Sequence, residues 1–353
     1  GLVLLTNVAL AVSARNLAVK RVLVRALPAI EALARVDTIC LDKTGTITSG
    51  KLKVAETLPM TGQSEATVTK AAAAIVYALN DDNETAMAIK AAFQNNTNQQ
   101  VTQTMPFSSA RKWSGAVVNG QVLFMGAPQF TFGDQLPAPI ANQIKDAAAK
   151  GYRVLAIGTA TKLVHPLVNP QLLGLILITD ELRPTAINTF DFFKTQGVAL
   201  KVISGDDPIT VANIAKQARL EGADQSVDMS TIADNATAKD YQTLVKRYNV
   251  FGRVTPEQKK SLIMAYQALG HTVAMTGDGV NDVLALRQSD CSIAMASGAD
   301  AASSIADFVL LDSNFDAMTG VLNEGRRVIN NIERVASMYL VKTMYSVILA
   351  TIF

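Results

Sequence analysis

Four times this sequence drives a short apolar run into a polar terminus. "TICLD" ends at Asp42, "LKVISGD" reaches Ser204-Gly205-Asp206, "NVFGRV" carries Arg253 just before Thr255-Pro256-Glu257-Gln258-Lys259, and "VAMTGDGVND" closes on Thr276 to Asp282. Runs rich in Val, Ile and Leu, with helical patterns between most of them, predict parallel strands buried on both faces. Further strands are predicted at 173–180, 291–296 and 307–311, and helices at 185–196, 208–219 and 256–269. The fold class that follows is α/β, a doubly wound parallel sheet, and in such sheets ligands collect at the carboxyl ends of the strands. Neighbouring strands stand about 5 Å apart, so four polar ends on one edge predict a single site.

Residues 53–172 break the rhythm. "VVNGQV" is the signal for a two-residue hairpin turn, so this stretch predicts an inserted α+β domain with an antiparallel sheet. The polar run 94–104 reads as a surface loop. The expected organisation is a partial transmembrane helix and stalk (1–32), the first part of the sheet domain (33–52), the insert (53–172), the second part (173–325), and a stalk with a second partial transmembrane helix (326–353).

The apolar termini support the last of these expectations. "GLVLLTNVALAV" and "MYLVKTMYSVILATIF" are each shorter than the roughly 20 residues of a spanning helix. Both adjoin basic residues on their inner side, namely Arg15, Lys20, Arg21 and Arg25, and Arg326, Arg327 and Arg334. That is the positive-inside pattern, with the middle of the chain cytoplasmic. Residues 13–35 read as one helix. A balance of 32 Lys+Arg against 30 Asp+Glu gives no general pull toward nucleic acid, and no nucleic-acid partner is expected. The two cysteines, Cys40 and Cys291, lie in apolar strands without metal-binding spacing, so buried reduced thiols are expected.

Carboxylates brought together at one sheet edge repel unless a cation lies between them, and an all-oxygen set suits Mg²⁺. A carboxylate, Mg²⁺, a lysine and glycine-rich turns make a phosphoryl-transfer kit. Asp42 is then the candidate nucleophile and Lys259 the group that neutralises the transferred oxygens.

"DKTGTIT" (42–48) with "TGDGVND" (276–282) resembles the phosphorylation domain of P-type cation-transporting ATPases, within the haloacid dehalogenase superfamily. The resemblance covers essentially the whole chain and is nearest to bacterial general cation pumps, with Ca²⁺ one candidate ion. It implies that Asp42 takes the γ-phosphoryl of ATP and that Lys43 belongs to the same catalytic loop. It also implies that Thr44 offers its carbonyl to Mg²⁺ and its hydroxyl to phosphate, and that Asp278 is the second magnesium carboxylate. Ser204 and Gly205 would hold phosphate oxygens, Lys259 the phosphoryl group, and Asn281 and Asp282 would support the site. Asp180 and Arg183 in "TDELRP", with Asp206 and Arg253, resemble the family's nucleotide contacts. In the insert, Phe107 resembles the aromatic that stacks on adenine and Lys112 the lysine at the base pocket. Ser108, Arg111, Gly126, Glu84 and Arg153 resemble further contacts. Met125-Gly126-Ala127-Pro128 departs from the lysine that many relatives carry at the first position.

The same resemblance implies an actuator domain and further transmembrane helices that this chain does not contain, with membrane lipid and a transported cation as partners. Phosphatases of the superfamily usually place an aspartate acid/base two residues after the nucleophile, where this chain has Thr44. Without it the acyl-phosphate persists, which suits a pump better than the rival reading, a soluble Mg²⁺ phosphatase with a cap domain. A non-catalytic nucleotide-binding module is disfavoured by the intact Asp42 and Asp278. Thr61-Gly62-Gln63-Ser64 and His165-Pro166 read as turns, His271 as a strand start, and Trp113 as core.

Overall fold

The computed structural model describes residues 2–94, 99–108, 110–133, 136–233 and 235–352. The chain divides into two compact units, one made of 1–49 with 182–353 and the other of 50–181. In chain order the first unit lays down β1 (Val22–Val24) and β2 (Thr38–Leu41). The insert then contributes β3 (Thr48–Pro59), β4 (Val101–Met105), β5 (Trp113–Val118), β6 (Gln121–Gly126), β7 (Arg153–Ala160) and β8 (Gln171–Leu182). The first unit resumes with β9 (Ala199–Ile203), β10 (Ser226–Asp228), β11 (Val250–Gly252), β12 (Val273–Gly277), β13 (Cys291–Met295) and β14 (Phe308–Leu310).

The first unit's sheet runs β1-β14-β13-β12-β2-β9-β11-β10. All its pairings are parallel except β1 with β14 at the edge, which is antiparallel. The two strands carrying the diagnostic motifs are neighbours, with Cys40 paired to Met275, and β9 flanks β2 on the other side. Alternation across the pleat explains the apolar runs. Ile39 and Leu41 pack into one buried cluster with helix 186–195, whereas Cys40 and Ile203 pack into another with helix 256–268. The second of those helices starts from a reciprocal capping box, Thr255 with Gln258, and has Pro256 in its first turn. That start fixes the helical phase and puts Lys259 on the buried face.

The insert is a six-stranded sheet, β3-β8-β7-β6-β5-β4. Asn119 and Gly120, at φ 51 and 77, form the expected hairpin turn between β5 and β6. Trp113 is fully buried and packs with Phe124 and Leu175.

Three expectations are corrected. The run 173–180 lies in β8 and belongs to the insert's antiparallel sheet, so the insert's edges fall at 50 and 181 where the sequence suggested 53 and 172. Residues 13–35 are not one helix: Leu2–Val19 and Pro28–Arg35 are separated by β1, after a left-handed Arg21 at φ 62. Within 94–104, residues 101–105 are the exposed strand β4, and residues 95–98 lie outside the described residues. The C-terminal apolar tract continues one 36-residue helix, Ala317–Ile352, long and apolar enough to cross a membrane. Near its start that helix is fastened to the N-terminal one. Ser13 Oγ (2.8 Å), Asn16 Nδ2 (3.1 Å) and Arg327 Nη2 (2.6 Å) all donate to Glu324 Oε1.

Candidate functional site

Asp42 leaves the carboxyl end of β2 with its backbone N–H on the carbonyl (3.3 Å) and hydroxyl (3.2 Å) of Thr276. The turn of 43–47 follows, and within it Gly45 takes φ +70. A Cβ on Gly45 would stand 2.3 Å from Asp278 Oδ2, so the turn closes this tightly onto β12 only because the residue is glycine. Gly298 does the same from the other side, where a Cβ would meet the Asp278 carbonyl at 2.4 Å. Ala299 N–H donates to that carbonyl at 2.6 Å.

Lys259 reaches the same edge and donates to Asp42 Oδ1 at 2.9 Å and to Asp282 Oδ1 at 2.6 Å. Asp282 spends its other oxygen on the backbone N–H groups of Asp278 (3.2 Å) and Gly279 (3.0 Å). Asp282 therefore holds Lys259 and the 278–279 turn in place. Oxygens of Asp42, Asp278 and Asp282 lie within 4.8 Å of one another. Three carboxylates against one ammonium leave two negative charges, which a divalent cation would balance. Burial, more than any other cause, pushes the Asp42 carboxyl up to about 7, with Lys259 opposing and Asp282 and Asp278 reinforcing. Asp278 is raised by burial and by Asp282. Burial alone would lower Lys259, but the two facing carboxylates hold its ammonium above the usual lysine range. The donor set and its excess negative charge fit Mg²⁺, with Asp42 and Asp278 the carboxylates left to ligate it.

Ser204 is buried at the end of β9, and its hydroxyl accepts from Asp206 N–H at 3.2 Å. Gly205 is open enough that a Cβ would meet nothing nearer than 3.9 Å. Lys43 is buried and paired with Asp206 at 2.6 Å, so its ammonium braces the Asp206 turn. Thr44 and Asn281 are exposed. Arg183 donates to the Gly45 carbonyl at 2.7 Å, which ties it to the turn that follows Asp42. Arg253, left-handed at φ 50, is held by Asp207 (2.5 Å) and Asp228 (2.6 Å), two partners the sequence did not signal. Asp180 lies on β8 in the insert.

The insert has its own cavity of about 530 Å³, lined on its apolar side by Phe107, Met125, Val154 and Leu155. Glu84, Lys112, Gly126 and Arg153 line it as the sequence suggested, joined by Asp81 and Thr85. Arg153 Nη1 donates to Thr85 Oγ1 at 3.3 Å. Ser108 and Arg111 are not among the lining residues. Ser108 Oγ accepts from Ala110 N–H at 3.3 Å, and Arg111 donates to the Pro106 carbonyl at 2.6 Å and lies over the Trp113 ring at 5.7 Å. The only cue for Thr85 and Asp81 was their place beside Glu84 at a helix start.

A haloacid dehalogenase-like hydrolase family model matches residues 36–290, and a second of the same description matches 259–322. The chain belongs to that family, and its resemblance to P-type cation-transporting ATPases holds along its length. It is 40% identical, over 100% of its residues, to a probable cation-transporting ATPase of Streptococcus pneumoniae, of which it covers 45%. It is 40% identical, over 99% of its residues, to a calcium-transporting ATPase of Mycolicibacterium smegmatis, of which it covers 44%. The chain thus spans less than half the length of these curated relatives. The fold matches the crystal structure of a zinc-transporting PIB-type ATPase with a TM-score of 0.75, at 24% identity over 98% of this chain and 51% of that one.

Proposed function

We propose that this chain is the catalytic segment of an ATP-driven membrane cation pump and that Asp42 accepts the γ-phosphoryl group of ATP. The observation that carries the proposal is Lys259 between Asp42 and Asp282, with Asp278 in the same carboxylate cluster. A carboxylate oxygen of Asp42 bonds to the γ-phosphorus as the bond to the β-bridging oxygen breaks, and ADP leaves with that oxygen. Lys259 faces the charge that gathers on the transferred oxygens, held there by Asp282. The Ser204 hydroxyl and Gly205 N–H receive two of those oxygens, and Thr44 gives its hydroxyl to the third. Mg²⁺ on Asp42, Asp278 and the Thr44 carbonyl would supply Lewis-acid charge to the phosphoryl group.

Among the described residues, every carboxylate near Asp42 has another task, Asp278 that of a ligand to Mg²⁺. Asp282 is taken by Lys259 and two N–H groups, Asp206 by Lys43, and the position two after the nucleophile is Thr44. The acyl-phosphate therefore outlives its formation. Adenine stacks on Phe107 in the insert's cavity, with Lys112, Arg153 and Glu84 as its polar contacts. The transported ion is a metal cation, and Ca²⁺ is the first to test because relatives at 40% identity are named calcium-transporting. In the intact protein the long C-terminal helix lies in lipid as one of several spans.

The test is incubation with γ-labelled ATP and Mg²⁺. A hydroxylamine-sensitive phosphoprotein that Asp42→Asn abolishes supports the proposal. Absence of label under conditions where ATP binding is measured overturns it, as does rapid hydrolysis of small phosphomonoesters without ATP.

A further inference from the structure

At the amino ends of the same sheet, away from Asp42, lies a second cavity of about 550 Å³. Its residues come from the loop before β9 and β9 itself (Gly197 to Lys201), from the helix end at Arg219 to Gly222, and from Asn249 before β11. Lys201 is out of place there. It sits in a central strand whose neighbours Leu200 and Val202 are buried, and it is itself only half exposed. The unit's two fully buried lysines each face carboxylates, Lys43 with Asp206 and Lys259 with Asp42 and Asp282. Lys201 has no ion pair among the described residues; its acceptor is the neutral amide oxygen of Asn249, and its ammonium stands 6.0 Å from the centre of the Tyr266 ring, neither of which carries a negative charge.

That amide is locked. Asn249 Nδ2 donates to the Glu221 carbonyl at 3.1 Å and to Gln225 Oε1 at 3.2 Å. Gly222, at φ +69, makes room for it, since a Cβ there would stand 2.1 Å from Nδ2. An ammonium has three protons to give, and one is accounted for by Asn249. A partly desolvated cation without a counter-charge is costly, and an anion in the cavity would repay that cost.

We propose that this cavity is a second ligand site, for a small anion bearing a carboxylate or a phosphate group, with Lys201 as its anchor and Arg219 as its second cation. The lining sets the charge the site accepts. Lys194 is tied to Glu221 at 3.2 Å, which cancels both, and Asp191 opposes one of the two remaining cations. One net positive charge is left, which favours a small mono- or dianion over a triphosphate, whose larger charge would also face Asp191. Five residues of β9 separate this edge from Ser204, and Gln196, just before the cavity, accepts from Arg326 of the long C-terminal helix at 2.7 Å. A bound anion would therefore touch the strand that ends at the phosphate-binding turn, and would sit one residue from the Gln196 that holds Arg326 of that helix.

The test is amide NMR of the full chain in detergent, without Mg²⁺ or ATP, titrated with succinate and, separately, with methyl phosphate. Expected are saturable shifts of the Gly222 N–H and the Asn249 side-chain amide, with affinity at least tenfold weaker in Lys201→Met and weaker in Arg219→Ala. Phosphorylation of Asp42 in both variants should match the parent at zero anion. Shifts that do not saturate, equal affinity in Lys201→Met, or shifts confined to residues around Asp42 overturn the proposal. Should Lys201→Met fail to fold, Lys201→Arg, which keeps the charge, should retain binding where Arg219→Ala loses it. Equal affinity in those two variants overturns the proposal as well.

Discussion

Around Asp42 the charged groups are already fixed by hydrogen bonds, with negative charge in excess, whereas in the insert's cavity most of the surface awaiting a ligand is apolar. Lys259, Asp282 and the 278–279 backbone form a closed set of hydrogen bonds at 2.6 to 3.2 Å. In the insert, Phe107 is 51% exposed and faces a wall of Met125, Val154 and Leu155. On the proposed function, the difference separates two tasks. Chemistry on a phosphoryl group needs charges fixed before the substrate arrives, because reorganising them during the reaction would add to the barrier. Holding a base needs a flat apolar surface that loses water on contact. Changes in the first region should therefore alter rate and stability, and changes in the second should alter affinity.

The most severe break is Lys259→Ala. It leaves Asp42 and Asp282 facing each other without their cation, so phosphorylation should fall by about 10²–10³ or more. Unfolding free energy should drop by roughly 3 kcal/mol, as for a buried ion pair that loses one partner. Labelling rate and urea unfolding on one preparation measure both. A variant that keeps its stability and loses only activity would show that the pairing is not structural.

Gly45→Ala comes next. The left-handed backbone costs about 1 kcal/mol and the clash with Asp278 adds more, so a loss of about 2–3 kcal/mol is expected, together with weaker Mg²⁺ dependence. Loss of stability with an unchanged Mg²⁺ requirement would separate the turn from the metal site.

Asp42→Asn should act in the opposite direction. Asp42 binds its proton up to about pH 7 when folded, against 3.8 for the ordinary group. The folded state thus holds more protons between those values, and its stability falls as pH rises through that window. The parent therefore carries a penalty that is complete above pH 7 and absent near pH 4. Without divalent cation, Asp42→Asn should be more stable than the parent by on the order of 4 kcal/mol at pH 8, with the gain vanishing by about pH 4. A gain that does not change with pH would place its origin elsewhere.

Phe107→Ala is the mildest. ATP affinity should weaken about tenfold while labelling at saturating ATP stays close to the parent, since one base–aromatic stack is worth about 1–3 kcal/mol. The lone Trp113, buried in the insert's core, gives a fluorescence signal for that titration. A fall in maximal rate with unchanged affinity would collapse the division between the two regions.

How far the sequence could be read follows the same division. That Asp42, Lys259, Asp278 and Asp282 come together was legible because they follow the ends of predicted parallel strands, and such ends must converge, whereas the separate roles of Asp278 and Asp282 came from the resemblance alone. The run at 173–180 misled because a fully apolar strand has no period that tells a parallel sheet from the centre of an antiparallel one. Arg21 and Arg253 adopt left-handed backbone that nothing in their residue type announces, and so the helix break and the Asp207–Arg253–Asp228 bracing were missed. Arg111 sits three residues after Ser108 in a motif that looks uniformly ligand-facing. Only the fold turns its guanidinium toward the Pro106 carbonyl and the Trp113 ring. Lys201 gave no cue at all, because the significance of a lysine in a strand depends on which partners it fails to find.

The helix from Ala317 to Ile352 has no joint along its 36 residues. At 1.5 Å per residue it is a rod of roughly 54 Å, fastened at its foot by Glu324 to a second helix. A rod held that way multiplies angle into distance. A tilt of about 10° at the foot carries the far end by about 9 Å over that length, more than one helical turn. If the proposed function holds, a rearrangement of modest size around a phosphorylated Asp42 would reach the scale of a whole side chain's displacement at the far end of that helix.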